Sequence, residues 1–147
     1  LQSIIAQENF DPSLLEIEIT EGTLLQSATE VIGMLNKISQ LGVHISIDDF
    51  GTGYSSLQYL KSFHLDTIKI DRAFVRDICS DHHNMLIVDS IISIAKRMNI
   101  NLVAEGVESK EEIEHLVALG CDVFQGFYYS KPLPFQSISE FLQAFGK

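Results

Sequence analysis

The sequence predicts an α/β fold, a (β/α)8 TIM-like barrel present as an incomplete barrel of about five βα units. Three observations predict it. Short β-like runs alternate with stretches of helical spacing along the 147 residues. The runs carry isoleucine on one face and charged or polar residues on the other. Acidic residues recur at the C-terminal ends of the strands, where barrels of this kind build their active sites. Alternation alone also fits an open doubly wound sheet, but central strands of such a sheet read as continuous apolar runs.

The first run, LLEIEIT (Leu14–Thr20), alternates Ile17 and Ile19 with Glu16, Glu18 and Thr20. ATEVIGMLNKISQLG then places Val31, Ile32, Leu35 and Ile38 at helical intervals and stops at Gly42, a glycine suited to a C-terminal cap. VHISIDD (Val43–Asp49) is the second strand, and the loop after it leads at Tyr54, Ser55 and Ser56 into a further helix. In TIKID (Thr67–Asp71), Ile68 and Ile70 alternate with Lys69 and Asp71. NMLIVDSIISIAKRMN is a second, more apolar helix. NLVAEGV (Asn101–Val107) sets Leu102 and Ala104 against Val103 and Glu105. SKEEIEHLVALG opens with a capping box, Ser109 with Glu112, and ends at Gly120. DVFQGFY (Asp122–Tyr128) is the fifth strand, and SISEFLQAFGK closes the chain as a helix.

Five strands fall short of eight, and a typical barrel takes about 250 residues. The sequence, which opens LQSIIAQENF without Met or a basic leader, therefore reads as the back portion of a single domain spanning 1–147, with roughly 100 residues expected before Leu1. No apolar stretch reaches the roughly 20 residues of a membrane span. The formal net charge of −10 argues against DNA, RNA or an anionic lipid surface as partner. Cys79 and Cys121 have no metal-binding or disulfide spacing, so a reducing cytoplasm is expected. His44, His64, His82, His83 and His115 show no ligand spacing either, and the His82–His83 pair reads as loop.

On the barrel reading Glu18, Asp48, Asp49, Lys69, Glu105 and Gln125 all lie near C-terminal strand ends and face one mouth. Singly, each has a plainer reading: Asp48–Asp49 as a helix cap, Glu105 as a solvated strand end, Lys69 as the partner of Asp71, Gln125 as a polar turn residue. Together, four carboxylates in one mouth need counter-charge, because crowded carboxylates raise each other's pKa. Hard divalent cations with oxygen ligands supply it, and also explain how an acidic chain holds a phosphate. At a strand terminus that turns, one Asp can bridge two ions while its neighbour binds the second. Gly51 and Gly53 let the following loop bend over them.

The stretches EIEITEG, SIDDFGTGYSSL, TIKIDRAFV, LVAEGVES and CDVFQGFYYSKPLP resemble, in order, the signatures of the EAL domain, the bacterial cyclic di-GMP phosphodiesterase. The resemblance implies a TIM-like barrel of EAL type that hydrolyses cyclic di-GMP to linear pGpG with two Mg2+ or Mn2+ ions. It implies Glu18, Asp48, Asp49 and Glu105 as metal ligands, with Asp48 bridging. Glu105, Lys69 and Gln125 are the implied catalytic group around the water and substrate. Glu21 would anchor the loop Phe50, Gly51, Thr52, Gly53, Tyr54, Ser55, Ser56, and Asp71 and Glu108 would support the ligands. A homodimer or swapped assembly is expected, and relatives commonly carry an upstream sensor or GGDEF domain. The Glu-Ala-Leu stretch and an Asn ligand of the family are absent from this sequence, so the chain alone is expected to be weakly active or inactive. Gly22 stands where Ser is common. Two other readings are a non-catalytic cyclic di-GMP-binding or regulatory module, and an unrelated two-metal barrel acting on another phosphate ester.

Overall fold

A computed structural model describes residues 1–26, 28–53 and 59–145. Helix α1 (Gln2–Glu8) and a 3-10 turn (Pro12–Leu14) lead into strand β1 (Glu16–Thr20). Helices α2 (Glu21–Gln26) and α3 (Ala28–Ser39) carry the chain to β2 (His44–Phe50), and a 3-10 turn (Tyr59–Lys61) precedes β3 (Thr67–Ile70). Helices α4 (Arg72–Val75) and α5 (His82–Met98), β4 (Asn101–Glu105), α6 (Lys110–Leu119), β5 (Phe124–Gln125) and α7 (Phe135–Phe145) follow.

All strand pairs are parallel, and the sheet order β1-β2-β3-β4-β5 is the order of the sequence. A doubly wound sheet reverses direction at a switch point. This one never does, so it winds as a barrel wall winds. β1 and β5 are its edges and do not pair with each other.

The alternation read from the sequence governs the packing. Ile45, Ile47, Ile68 and Ile70 are fully buried in the apolar core with Val88, Ile91, Ile92 and Ala95 of α5 and Leu116 of α6. Each such isoleucine contributes about 1.5–3 kcal/mol by leaving water. The opposite face carries Glu18, Ser46, Thr67 and Lys69, where the register pairs Glu18 with Ser46 and Ser46 with Thr67. An ordinary barrel lumen is packed with branched apolar residues. Here it is polar.

Several boundaries differ from the sequence reading. His82 and His83 open α5 rather than lying in a loop, because Asp81 caps the helix by accepting from the His83 N–H at 2.8 Å. The fifth strand shrinks to Phe124–Gln125, and Gly126 after it packs against the Val107 backbone too closely to admit a Cβ. The closing helix starts at Phe135 and buries none of its residues, leaving Phe135, Leu142 and Phe145 exposed. The capping box at Ser109 and Glu112 forms as read. No described helix is long and apolar enough to cross a membrane.

At the N-terminal ends of β2 and β3, Asp66 ties the strands together. Its Oδ2 accepts from the Ile45 N–H at 2.8 Å, and its Oδ1 lies 3.3 Å from His44 Nδ1 and 3.2 Å from His64 Nε2. Burial opposes ionisation of this carboxyl, but the Ile45 N–H, the His44 hydrogen bond and the two imidazoles outweigh it and hold its pKa below the usual value. A depressed carboxyl pKa gives stability that is present above the unfolded value, about 3.9, and lost as pH falls through the folded value. Asp66→Ala is therefore expected to cost about 1–2 kcal/mol at pH 7. Chemical denaturation at pH 7 and at pH 3 checks it: the gap between variant and wild type narrows in acid.

Candidate active site

At the C-terminal ends of the strands, one ammonium collects the acidic side chains. Lys69 sits in the middle of β3, only 6% exposed. Its Nζ donates to Glu18 Oε1 of β1 at 2.6 Å and lies 2.6 Å from Glu105 Oε1 of β4. Asp48 Oδ1 of β2 is 3.8 Å away. Three strands thus deliver carboxylates to a cation on a fourth. Asp71 is not its partner; that carboxylate caps α4 by accepting from the Ala73 N–H at 2.6 Å.

The local charges set the protonation. Burial disfavours the charged ammonium of Lys69, yet the hydrogen bonds to Glu105 and Glu18 and the nearby Asp48 overcome it, and its pKa lies above the ordinary lysine value. Burial pushes the Glu105 carboxyl up and the Lys69 contact draws it down, and with Asp48 and Glu18 adding to the rise its pKa lies above the ordinary value.

Asp49 stands where β2 bends. β2 loses its register with β3 between Ile47 and Phe50, and at this bulge Asp49 takes a left-handed backbone, φ 55°. The turn brings it toward Asp71 while Asp48 and Glu105 still act on its charge. A hydrogen bond to Asp71, then burial, then the charges of Asp48, Asp71 and Glu105 raise its pKa.

The loop after the bulge is pinned from below. Glu21, the first residue of α2 and 5% exposed, accepts from the Gly51 N–H at 3.0 Å and the Gly53 N–H at 3.2 Å. Gly51 has φ 101°, and an added Cβ there would meet Phe74 at 2.9 Å. Thr52 donates its N–H and hydroxyl to the Asp49 carbonyl, and Phe50 is buried in the core. Tyr54, Ser55 and Ser56 lie outside the described residues. At Gly22 an added Cβ meets nothing within 4 Å.

Beside the ammonium lies a cleft of about 390 Å³ lined by Glu105, Gln125 and Glu108 together with Arg72 and Lys131. Gln125 is the register partner of Glu105. The Glu108 backbone N–H donates to Glu112 Oε2 at 2.7 Å, which fixes the loop before α6. Arg72 and Lys131 were not singled out in the sequence. The adjacency of Arg72 to the strand end TIKID was a usable signal; Lys131 reaches the cleft only through the turn after β5.

The donor chemistry suits a hard divalent cation: all oxygen, mostly carboxylate, and more negative charge than one lysine balances. Among the described residues no three such side chains are set around one point as a ready cage. The ammonium holds the centre, so gripping an ion requires the carboxylates to turn from Lys69 toward it.

The EAL domain family model matches residues 1–132. The cyclic di-GMP phosphodiesterase NbdA of Pseudomonas aeruginosa is 40% identical over 141 residues, which is 96% of this chain and 18% of that protein. The PaMucR phosphodiesterase, solved as a c-di-GMP complex, superposes with a TM-score of 0.88 at 39% identity, covering 93% of this chain and 56% of that one. BlrP1 of Klebsiella pneumoniae, solved with manganese and cyclic di-GMP, superposes with a TM-score of 0.82 at 35% identity, covering 88% of this chain and 33% of that one. The chain thus spans about a fifth of the first curated relative's length and about half of the first structure.

Removing the central cation should expose the cost of the cluster. Lys69→Met leaves Glu18, Asp48 and Glu105 uncompensated; with Glu18 half in solvent, the expected loss is about 2–3 kcal/mol at pH 7. The deficit shrinks as acid protonates the carboxylates, which denaturant midpoints at pH 7 and pH 4 measure.

Proposed function

This chain belongs to the EAL domain family, and we infer that it is the C-terminal portion of a cyclic di-GMP phosphodiesterase domain. The observation that carries the reading is the set Glu18, Asp48 and Glu105 gathered on one buried lysine beside a cleft that also holds two basic side chains. The names of NbdA and PaMucR support the substrate, and the manganese complex of BlrP1 supports divalent metal.

In this reading Glu18, Asp48, Asp49 and Glu105 hold two Mg2+ or Mn2+ ions. Bound ions supply Lewis-acid polarisation of the phosphate and lower the pKa of water. Lys69 supplies a fixed positive charge and N–H donors at the same mouth. Gln125, beside Glu105, offers an amide to water or substrate. Arg72 and Lys131 are placed to receive a phosphate, as charge-assisted donors in an otherwise acidic surrounding. Glu21 holds the loop that starts at Gly51, and so fixes where Asp49 emerges. Asp71 steadies Asp49, and Glu108 shapes the wall of the cleft.

Among the described residues the five strands leave two unpaired edges, and the match covers 56% of the PaMucR chain. Further strands of the same domain complete the barrel and the ligand set, so the chain by itself hydrolyses slowly or not at all. The apolar groove of Phe50, Gly51, Leu86, Ile87 and Ile91 supports a homodimer through the loop and α5. A sensor or GGDEF domain elsewhere in the protein and a cytoplasmic location belong to the same reading.

A second reading, a binding module without turnover, is favoured by one observation: among the described residues the carboxylates close on Lys69 and not on a ready cage. The two separate on the intact domain with cyclic di-GMP. Phosphodiesterase activity appears with Mg2+ or Mn2+, disappears with a chelator, and falls at least about 100-fold in Glu18→Ala or Asp48→Ala. Tight calorimetric binding with no pGpG formed selects the binding module, and an unchanged rate in both variants removes the catalytic reading.

A further inference from the structure

The hydroxyl of Ser46 is the buried side-chain polar atom, among the described residues, that lacks a hydrogen-bond partner. Ser46 is fully buried in the middle of β2. A buried hydroxyl left unbonded is destabilising, so a partner is expected beside it.

Its place in the sheet names one. Ile45 and Ile47 on either side point into the apolar core, so Ser46 points to the opposite, polar face. On that face it stands level with Glu18 and Thr67 and two residues before Asp48, and Lys69 follows two residues after Thr67. The Lys69 ammonium has three N–H donors. Two are spent at 2.6 Å on Glu18 and Glu105, while Asp48 at 3.8 Å is beyond hydrogen-bond length. A buried donor and a buried acceptor therefore lie on neighbouring strands of one face, one diagonal step apart. A water takes two to four polar partners in such a place.

We propose that Ser46 is a positioning residue for Lys69: one buried water accepts from the third ammonium N–H and donates to Ser46 Oγ. The bridge fixes the ammonium from below, while Glu18 and Glu105 fix it from the sides. The hydroxyl thereby sets where the site's positive charge stands. The consequence for catalysis rests on the phosphodiesterase reading; the bridge itself does not.

The test uses the intact metal-free domain with 15N-labelled lysine, following proton exchange of the Lys69 ammonium by NMR. Ser46→Thr keeps the hydroxyl, and Ser46→Val has the same shape without it. Loss of one net hydrogen bond corresponds to roughly fivefold faster exchange in Ser46→Val, with Ser46→Thr within about twofold of wild type. In the metal-loaded enzyme kcat falls by the same factor in Ser46→Val with KM unchanged, and Ser46→Thr restores it. Equal exchange in Thr and Val variants overturns the proposal, as does a Ser46→Val protein that melts higher than wild type with its Lys69 signal unmoved. If the wild type hydrolyses no cyclic di-GMP, the functional reading falls while the exchange comparison still decides the role of Ser46.

Discussion

One buried ammonium organises the polar half of this sheet. Lys69 stands on β3 between Glu18 of β1 and Glu105 of β4, and its two 2.6 Å contacts tie β1 to β4, which are not neighbours. The contact is expensive to build, since burying an ammonium and a carboxylate each costs several kcal/mol of hydration. It holds because the ladder on the other face is fully apolar. The isoleucines packed under α5 and α6 supply the burial energy, and the strand pleat keeps the two kinds of residue on separate faces. Without that separation, charge on every second residue would not be tolerated inside a sheet.

Positive charge is nonetheless in short supply. Glu18, Asp48 and Glu105 share a single lysine, and Asp71, burial and the neighbouring carboxylates raise the pKa of Asp49. The bulge at Asp49 is held from outside by Glu21, whose carboxylate fills the backbone N–H groups of the loop. The acidic surplus is thus fixed by folding rather than by chance proximity. A surplus of this kind is what a dication relieves.

Much of this was legible in the residues. The alternation in EIEIT and TIKID separates the two faces, and the strand ends place Glu18, Asp48, Lys69 and Glu105 together. The capping box at Ser109 needs only local chemistry, which is why it reads directly. What was not legible depends on tertiary register. Asp49 was expected at a turning strand end, but the slip of register against β3 that turns it exists only once the strands are paired. The distances are another such detail: Lys69 Nζ stands 2.6 Å from Glu18 and from Glu105 but 3.8 Å from Asp48. Arg72 and Lys131 reach the cleft through turns at Gly106 and Gly126, whose close contacts exist only once the strands are paired.

The claim at the centre is that the carboxylates gathered by Lys69 are a metal-binding set. Anomalous diffraction from crystals of the intact domain soaked in manganese tests it most directly. The account predicts peaks at the mouth within about 2.5 Å of oxygens of Glu18, Asp48 and Glu105, with those side chains swung away from Lys69. Full manganese occupancy elsewhere, with the three carboxylates still closed on the ammonium, would contradict it.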